Sequence, residues 1–82
     1  MWYLYIAKFS GEKLYTGISV DVERRIRQHN NGTGAKSLRG KGPIELLYTE
    51  KFDTNKQAAR REREIKGWNR EKKLKLITKG LP

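Results

Sequence analysis

Cysteine is absent from this chain, histidine occurs once, and nine acidic residues face nineteen lysines and arginines. Without cysteine there are no disulfides and no thiolate metal sites, and one imidazole does not make a zinc site by itself. Long hydrophobic runs are lacking too. The apolar run near the start reaches only from Trp2 to Ala7, far too short for a secretion signal or a membrane span. No internal repeat or low-complexity tract divides the chain. These absences leave one small domain over residues 1–82, expected in the cytoplasm. With 82 residues of which 35% are hydrophobic, its core is modest, but two Trp, four Tyr and two Phe supply heavy apolar anchors.

What is abundant is positive charge. A net +10 on so short a chain favours a polyanion as partner, because any clustered basic face can release counterions from phosphates. A membrane surface attracts such charge as well, but calls for a basic helix with large apolar residues along one side, and none stands out. Nucleic acid is the expected partner and a membrane is not.

Taken in order, Trp2 to Phe9 and Leu14 to Ile18 are rich in β-branched, aromatic and apolar residues and read as a hairpin around Ser10-Gly11-Glu12. Pairing Tyr5 with Tyr15 gathers Trp2, Leu4, Ile6, Leu14 and Ile18 on one face and Tyr3, Tyr5, Tyr15 and Gly17 on the other; sliding by one residue mixes the sets. An odd-length loop is therefore expected, with two phenols side by side on the face away from the core. Ser19 is placed to cap a helix running to about His29, with Asp21 and Glu23 in its first turn. Ile18, Val22 and Ile26 form its apolar stripe. Arg25 and His29, four residues apart, share the neighbouring face and can reach one ligand.

The segment from Asn30 to Pro43 interleaves four glycines with Lys36, Arg39 and Lys41, a cationic loop suited to a phosphate backbone. Ile44 to Phe52 reads as a third strand. Thr54 and Gln57 form a capping box at the start of a second long helix, along which Ala58, Glu62 and Ile65 fall on one face. Glu62 is thus an acid inside the inward stripe, while Glu64 points elsewhere, among Arg60, Arg61 and Trp68. Gly67 weakens that helix. A last one from about Arg70 packs Leu74 and Ile77 and stops at Gly80.

The candidates for chemistry are Tyr5, Tyr15, Arg25, His29 and Glu62, with Gly17 allowing close approach of the backbone. They suit metal-assisted phosphodiester hydrolysis. A carboxylate holds Mg²⁺ or Mn²⁺, a guanidinium neutralises charge growing on the phosphate, and a phenol or imidazole takes a proton from water. Each residue also has a plain structural reading. The tyrosines can be ordinary cross-strand aromatics, Arg25 part of a solvated basic run, His29 a cation at a helix C-terminus, Glu62 a surface partner of Lys66, and Asn69 the cap of the last helix.

As an ordered set these residues resemble the GIY-YIG nuclease family. Tyr3-Leu4-Tyr5 keeps the final tyrosine of the first motif, and Tyr15-Thr16-Gly17 departs from the second only at Thr16. Arg25 and His29 follow on the next helix and Glu62 on a later one. The match covers nearly the whole chain, and its length is similar to that of the small stand-alone bacterial members. The resemblance implies an α+β fold, a three-stranded antiparallel sheet flanked by helices in the order ββαβαα. It also implies one divalent ion, Mg²⁺ or Mn²⁺, on Glu62. Tyr5 would act on the attacking water with Tyr15 in support, Arg25 would stabilise the phosphate, and His29 would assist proton transfer. Gly17, Lys36, Arg39 and Lys41 would meet the nucleic acid, DNA rather than RNA, and a protein partner would supply specificity. Two alternatives stay open: a nucleic-acid-binding module with this fold and little turnover, and a basic RNA-associated protein without an active site.

Overall fold

A computed structural model of the chain describes residues 1–9, 13–30 and 44–80. Its elements run β1 (Trp2–Phe9), β2 (Lys13–Ser19), α1 (Val22–Asn30), β3 (Glu45–Phe52), α2 (Asn55–Lys66) and α3 (Arg70–Gly80). The fold is α+β, in the expected order ββαβαα. The strands form one antiparallel sheet in the order β2-β1-β3, so the first strand is central and both of its edges are paired.

A central strand with helices on both sides has no solvent face, and β1 shows it. Leu4, Tyr5, Ile6 and Ala7 are all buried, although successive side chains point to opposite faces. Leu4 and Ile6 pack with Ile65 of α2 and Ile77 of α3, joined by Leu14, Ile18, Phe52 and Trp68. Tyr5 and Ala7 pack with Val22 of α1 and Ile44, joined by Tyr3, Phe9, Tyr15 and Ile26. The phenol face expected to lie away from the core is therefore a second core, because α1 folds back over it and brings Val22 and Ile26 down onto Tyr5.

The hairpin register differs from the expected one by two residues. Tyr5 lies opposite Gly17, and Tyr15 opposite Ala7. A shift of two keeps every side chain on its expected face and changes only its neighbours across the strand. The apolar pattern cannot distinguish these two registers. On the other side of β1, the pairing skips from Ile6–Tyr48 to Ala7–Leu46. Leu47 is the extra residue of a bulge, and both it and Tyr48 pack toward the Leu4 face.

Asp21, not Ser19, caps α1: its carboxylate accepts from the Arg24 amide at 3.1 Å. The Ser19 hydroxyl is taken up by the Asp21 backbone, accepting from its N–H and donating to its carbonyl at 3.1 Å each. Ile18, placed in the α1 stripe by spacing, belongs to β2 and packs on the opposite face. At α2 the capping box forms as read. The Gln57 amide donates to Thr54 Oγ1 at 3.2 Å, and the Thr54 amide donates to Gln57 Oε1 at 3.3 Å. Ala58 and Ile65 are fully buried. Asn69 caps α3 by accepting from the Lys72 amide at 2.9 Å. Ile77 is buried there, but Leu74 is exposed and Leu76 takes the expected inward place. Among the described residues no helix is long and apolar enough to cross a membrane.

Candidate active site

Three rings converge beneath α1. The central strand supplies Tyr5, the edge strand β2 supplies Tyr15 and Gly17, and the last turn of α1 supplies His29. Tyr5 Oη lies 3.5 Å from His29 Nε2. The Tyr5 and Tyr15 ring centres are 6.1 Å apart at 45°, and Tyr15 meets His29 edge-on at 5.6 Å. Tyr5 is 1% exposed and His29 5%, so neither is a surface ring in solvent. Gly17 makes the arrangement possible. A Cβ there would stand 2.8 Å from Tyr5 Oη and 3.1 Å from Tyr15 Cε1, closer than carbon approaches either atom without displacement.

Arg25 sits one turn before His29 on the same helix face, half-buried, its Nη1 donating to Gln28 Oε1 at 3.5 Å. Its charge reaches both rings. Burial, with a smaller contribution from Tyr15, pushes the Tyr5 phenol up from 10.0 to about 12, while Arg25 pulls the other way. The burial thus disfavours the phenolate. Burial first and Arg25 second lower His29 below its ordinary 6.5, so its imidazole is neutral at pH 7. With the ring proton on Nδ1, Nε2 is an acceptor aimed at the phenol. A protonated tyrosine, a neutral histidine and a fixed cation therefore stand together in one covered corner, a set able to pass a proton and to stabilise an anion.

The end of α1 is held by a contact that spacing did not reveal. The Asn30 amide pairs with the main chain of Ile44, accepting from its N–H at 2.6 Å and donating to its carbonyl at 3.4 Å. Because Ile44 packs in the same cluster as Tyr5, this clasp fixes the helix end that carries His29. Asparagine at a helix end reads as a stop signal, and nothing local names a partner fourteen residues on.

Glu62 comes from a different element, α2. Its side chain is 21% exposed, at the margin of the inward stripe, and pairs with Lys66 Nζ at 3.4 Å. It lies on α2, which covers the Leu4 face, whereas Tyr5 and His29 lie on the other. No described hydrogen bond or ion pair joins it to the rings. Glu64 points outward as expected and pairs with Arg61 at 2.7 Å. Arg61 also binds Glu50 at 2.9 Å and lies 5.2 Å from the centre of the Trp68 ring. Among the described residues no three His, Asp or Glu side chains gather into a metal cluster; a lone carboxylate such as Glu62 suits only an ion that keeps most of its waters. Lys36, Arg39 and Lys41 lie outside the described residues.

Thr16, the departure inside the second motif, is 4% exposed, on the Leu14 and Ile18 side of β2. Its hydroxyl has no hydrogen-bond partner among the described residues. Its even position between two apolar residues is the signal that marks it as inward.

Compared with known proteins, residues 1–75 match the model of the GIY-YIG catalytic domain. Over 78 residues the chain is 53% identical to a UPF0213 protein of Haloquadratum walsbyi, covering 95% of this chain and 88% of that one. It is 51% identical over 78 residues to a UPF0213 protein of Staphylococcus saprophyticus, covering 95% of each. It is also similar to the solution NMR structure of a UPF0213 protein from Bacillus halodurans, at 43% identity and a TM-score of 0.62, across 100% of this chain and 89% of the other.

Proposed function

Because the chain belongs to the GIY-YIG catalytic domain family, we propose that it is a divalent-metal-dependent endonuclease that hydrolyses phosphodiester bonds in DNA. The observation that carries this reading is the contact of the Tyr5 phenol with a neutral His29 beside Arg25. Burial pushes the Tyr5 phenol up to about 12 and so favours its protonated form at pH 7. Tyr5 takes the proton of the attacking water as it gives its own to His29 Nε2, so that negative charge never rests long on the ring. Arg25, whose guanidinium already favours the phenolate, meets the charge that grows on the phosphate oxygens. Tyr15 closes the ring wall and restricts water. When bound, Mg²⁺ or Mn²⁺ supplies a second positive charge to the phosphate, and Glu62 is the residue that would hold it.

DNA is favoured over RNA as substrate, structured or damaged DNA included. The small catalytic face leaves specificity to a protein partner, and the cytoplasm is the expected compartment. A second reading has one observation in its favour. Glu62 is paired with Lys66 and not with the ring cluster, as suits a binding module of the same fold with little turnover.

A cleavage panel of duplex, flapped, nicked and single-stranded DNA and of RNA, with Mg²⁺ or Mn²⁺, separates the two. Under the nuclease reading the wild type cuts, and Tyr5→Phe and Glu62→Gln each abolish cutting while binding persists. Binding without cutting on every substrate refutes it.

A further inference from the structure

At the hairpin end of β2 the two faces of the sheet meet over a cavity of about 330 Å³ lined by Phe9, Lys13, Leu14, Arg70 and Lys73. Its described lining holds three cations and no acid. Another described cavity, between β3 and α2, has Asp53 and Glu64 set among Lys51, Arg60 and Arg61. Among the described residues neither Lys13 nor Lys73 has a carboxylate within ion-pair distance.

The position of this cavity ties it to the ring cluster. Lys13 shares the face of Tyr15 two residues away along the same edge strand, roughly 7 Å, and Phe9 packs against the Tyr5 cluster. Leu14 packs with the Leu4 face, while Arg70 and Lys73 come from the first turn of α3. The cavity thus begins beside the candidate active site and leads around the open edge of β2 to the opposite face. Cations spaced around a shallow cavity with an aromatic wall suit a phosphodiester backbone with a sugar or base against the ring.

We propose that the substrate DNA leaves the catalytic face past Tyr15 and Lys13 and seats a backbone segment in this cavity, against Arg70 and Lys73. The inference rests on the nuclease reading and extends it by giving the path of the DNA. These cations position the strand and take no part in the chemistry, so their loss acts on binding and its salt dependence.

The test is the salt dependence of binding to a short labelled DNA duplex, followed by fluorescence anisotropy in the presence of a chelator to prevent cutting. Wild type is compared with Lys13→Gln/Lys73→Gln and with Lys56→Gln/Lys75→Gln, which removes two exposed cations outside the cavity. Glutamine removes the charge and keeps the first two methylenes of the lysine stem, and circular dichroism checks that both variants are folded. Two lost phosphate contacts flatten the slope of log K against log salt by about 2 in the cavity variant, with the comparison variant staying near wild type. An unchanged slope in the cavity variant, or an equal fall in both, overturns the path and leaves the nuclease reading in place. A wild type that binds no DNA overturns both.

Discussion

Gly17→Ala is a one-carbon change with a calculable consequence. The added Cβ stands 2.8 Å from Tyr5 Oη and 2.9 Å from Tyr5 Cζ, so one of them retreats by roughly 0.6 Å to reach ordinary contact near 3.4 Å. Tyr5 has little room in which to yield. It is 1% exposed and packed among Ala7, Val22 and Ile44, and such overpacking costs about 1–3 kcal/mol. The alanine also restricts the unfolded chain, which favours folding by about 0.4–1 kcal/mol. The net is a loss of about 1–2 kcal/mol, or roughly 4–16 °C in melting temperature for a domain of this size. Activity suffers more than stability. The Tyr5 to His29 distance is already 3.5 Å, at the edge of hydrogen bonding, so half an ångström more breaks the relay, with a fall in cleavage rate on the order of 10²-fold. Thermal melts and single-turnover cleavage, read side by side at a temperature where the variant is folded, measure the two effects separately. A Gly17→Ala protein that melts and cuts like wild type would refute the close approach of Tyr5 to this strand.

Thr16→Val replaces a buried hydroxyl that has no partner among the described residues with a methyl group of the same shape, and should stabilise the fold by about 1 kcal/mol without altering cleavage; a lower melting temperature would show that the hydroxyl has a partner. Asn30→Ala removes both bonds to the Ile44 main chain and should cost about 1–3 kcal/mol in urea denaturation, with a fall in cleavage rate that persists at temperatures where the variant is folded; full activity there would mean that the clasp does not position His29. Stability should fall on both sides of neutrality. Because the folded pKa of His29 lies below 6.5, the unfolded chain binds the proton first, and stability declines as pH drops below about 6.5 and through the folded value. Because Tyr5 and Tyr48 are both raised from 10.0 to about 12, the unfolded chain loses those protons first, and stability declines as pH rises from 10 through 12. Urea melts across pH should show Tyr5→Phe with a shallower alkaline decline than wild type, and an unchanged decline would place the raised pKa elsewhere.

The parts of this fold that were legible are those set by a period or a local motif. Alternation along β1 and β2 assigned Leu4, Tyr5 and Ile6 to their observed faces. The Thr54–Gln57 box and the Ala58–Ile65 spacing located α2 and its buried side. Where two arrangements share a period, the pattern is silent. Pairing Tyr5 with Tyr15 or with Gly17 leaves the faces identical, and only the close fit of a phenol over a missing side chain decides for Gly17. Ser19 and Asp21 are both good caps two residues apart, and the choice between them depends on where the helix axis must point to set Val22 on Tyr5.

The candidate site divides in the same way. Arg25 and His29 could be placed on one face by a spacing of four, and Tyr15 by its parity with Tyr5. The clasp between Asn30 and Ile44 and the burial of Tyr5 on a second core are long-range outcomes that no local window contains. That burial bears directly on mechanism. A phenol on an exposed face keeps a pKa near 10 and is a middling base by itself. The same phenol under α1 is held near 12 and needs an adjacent acceptor, which the lowered pKa of His29 makes available at neutral pH. The helix that shuts water away from Tyr5 thus carries both His29, the proton acceptor of the proposed mechanism, and Arg25, the cation that opposes the cost of burial. Moving α1 by a fraction of an ångström would change all three terms together, so substitutions along its inner face, at Val22 or Ile26, should alter cleavage in proportion to the displacement of His29 and not to the lost hydrophobic area.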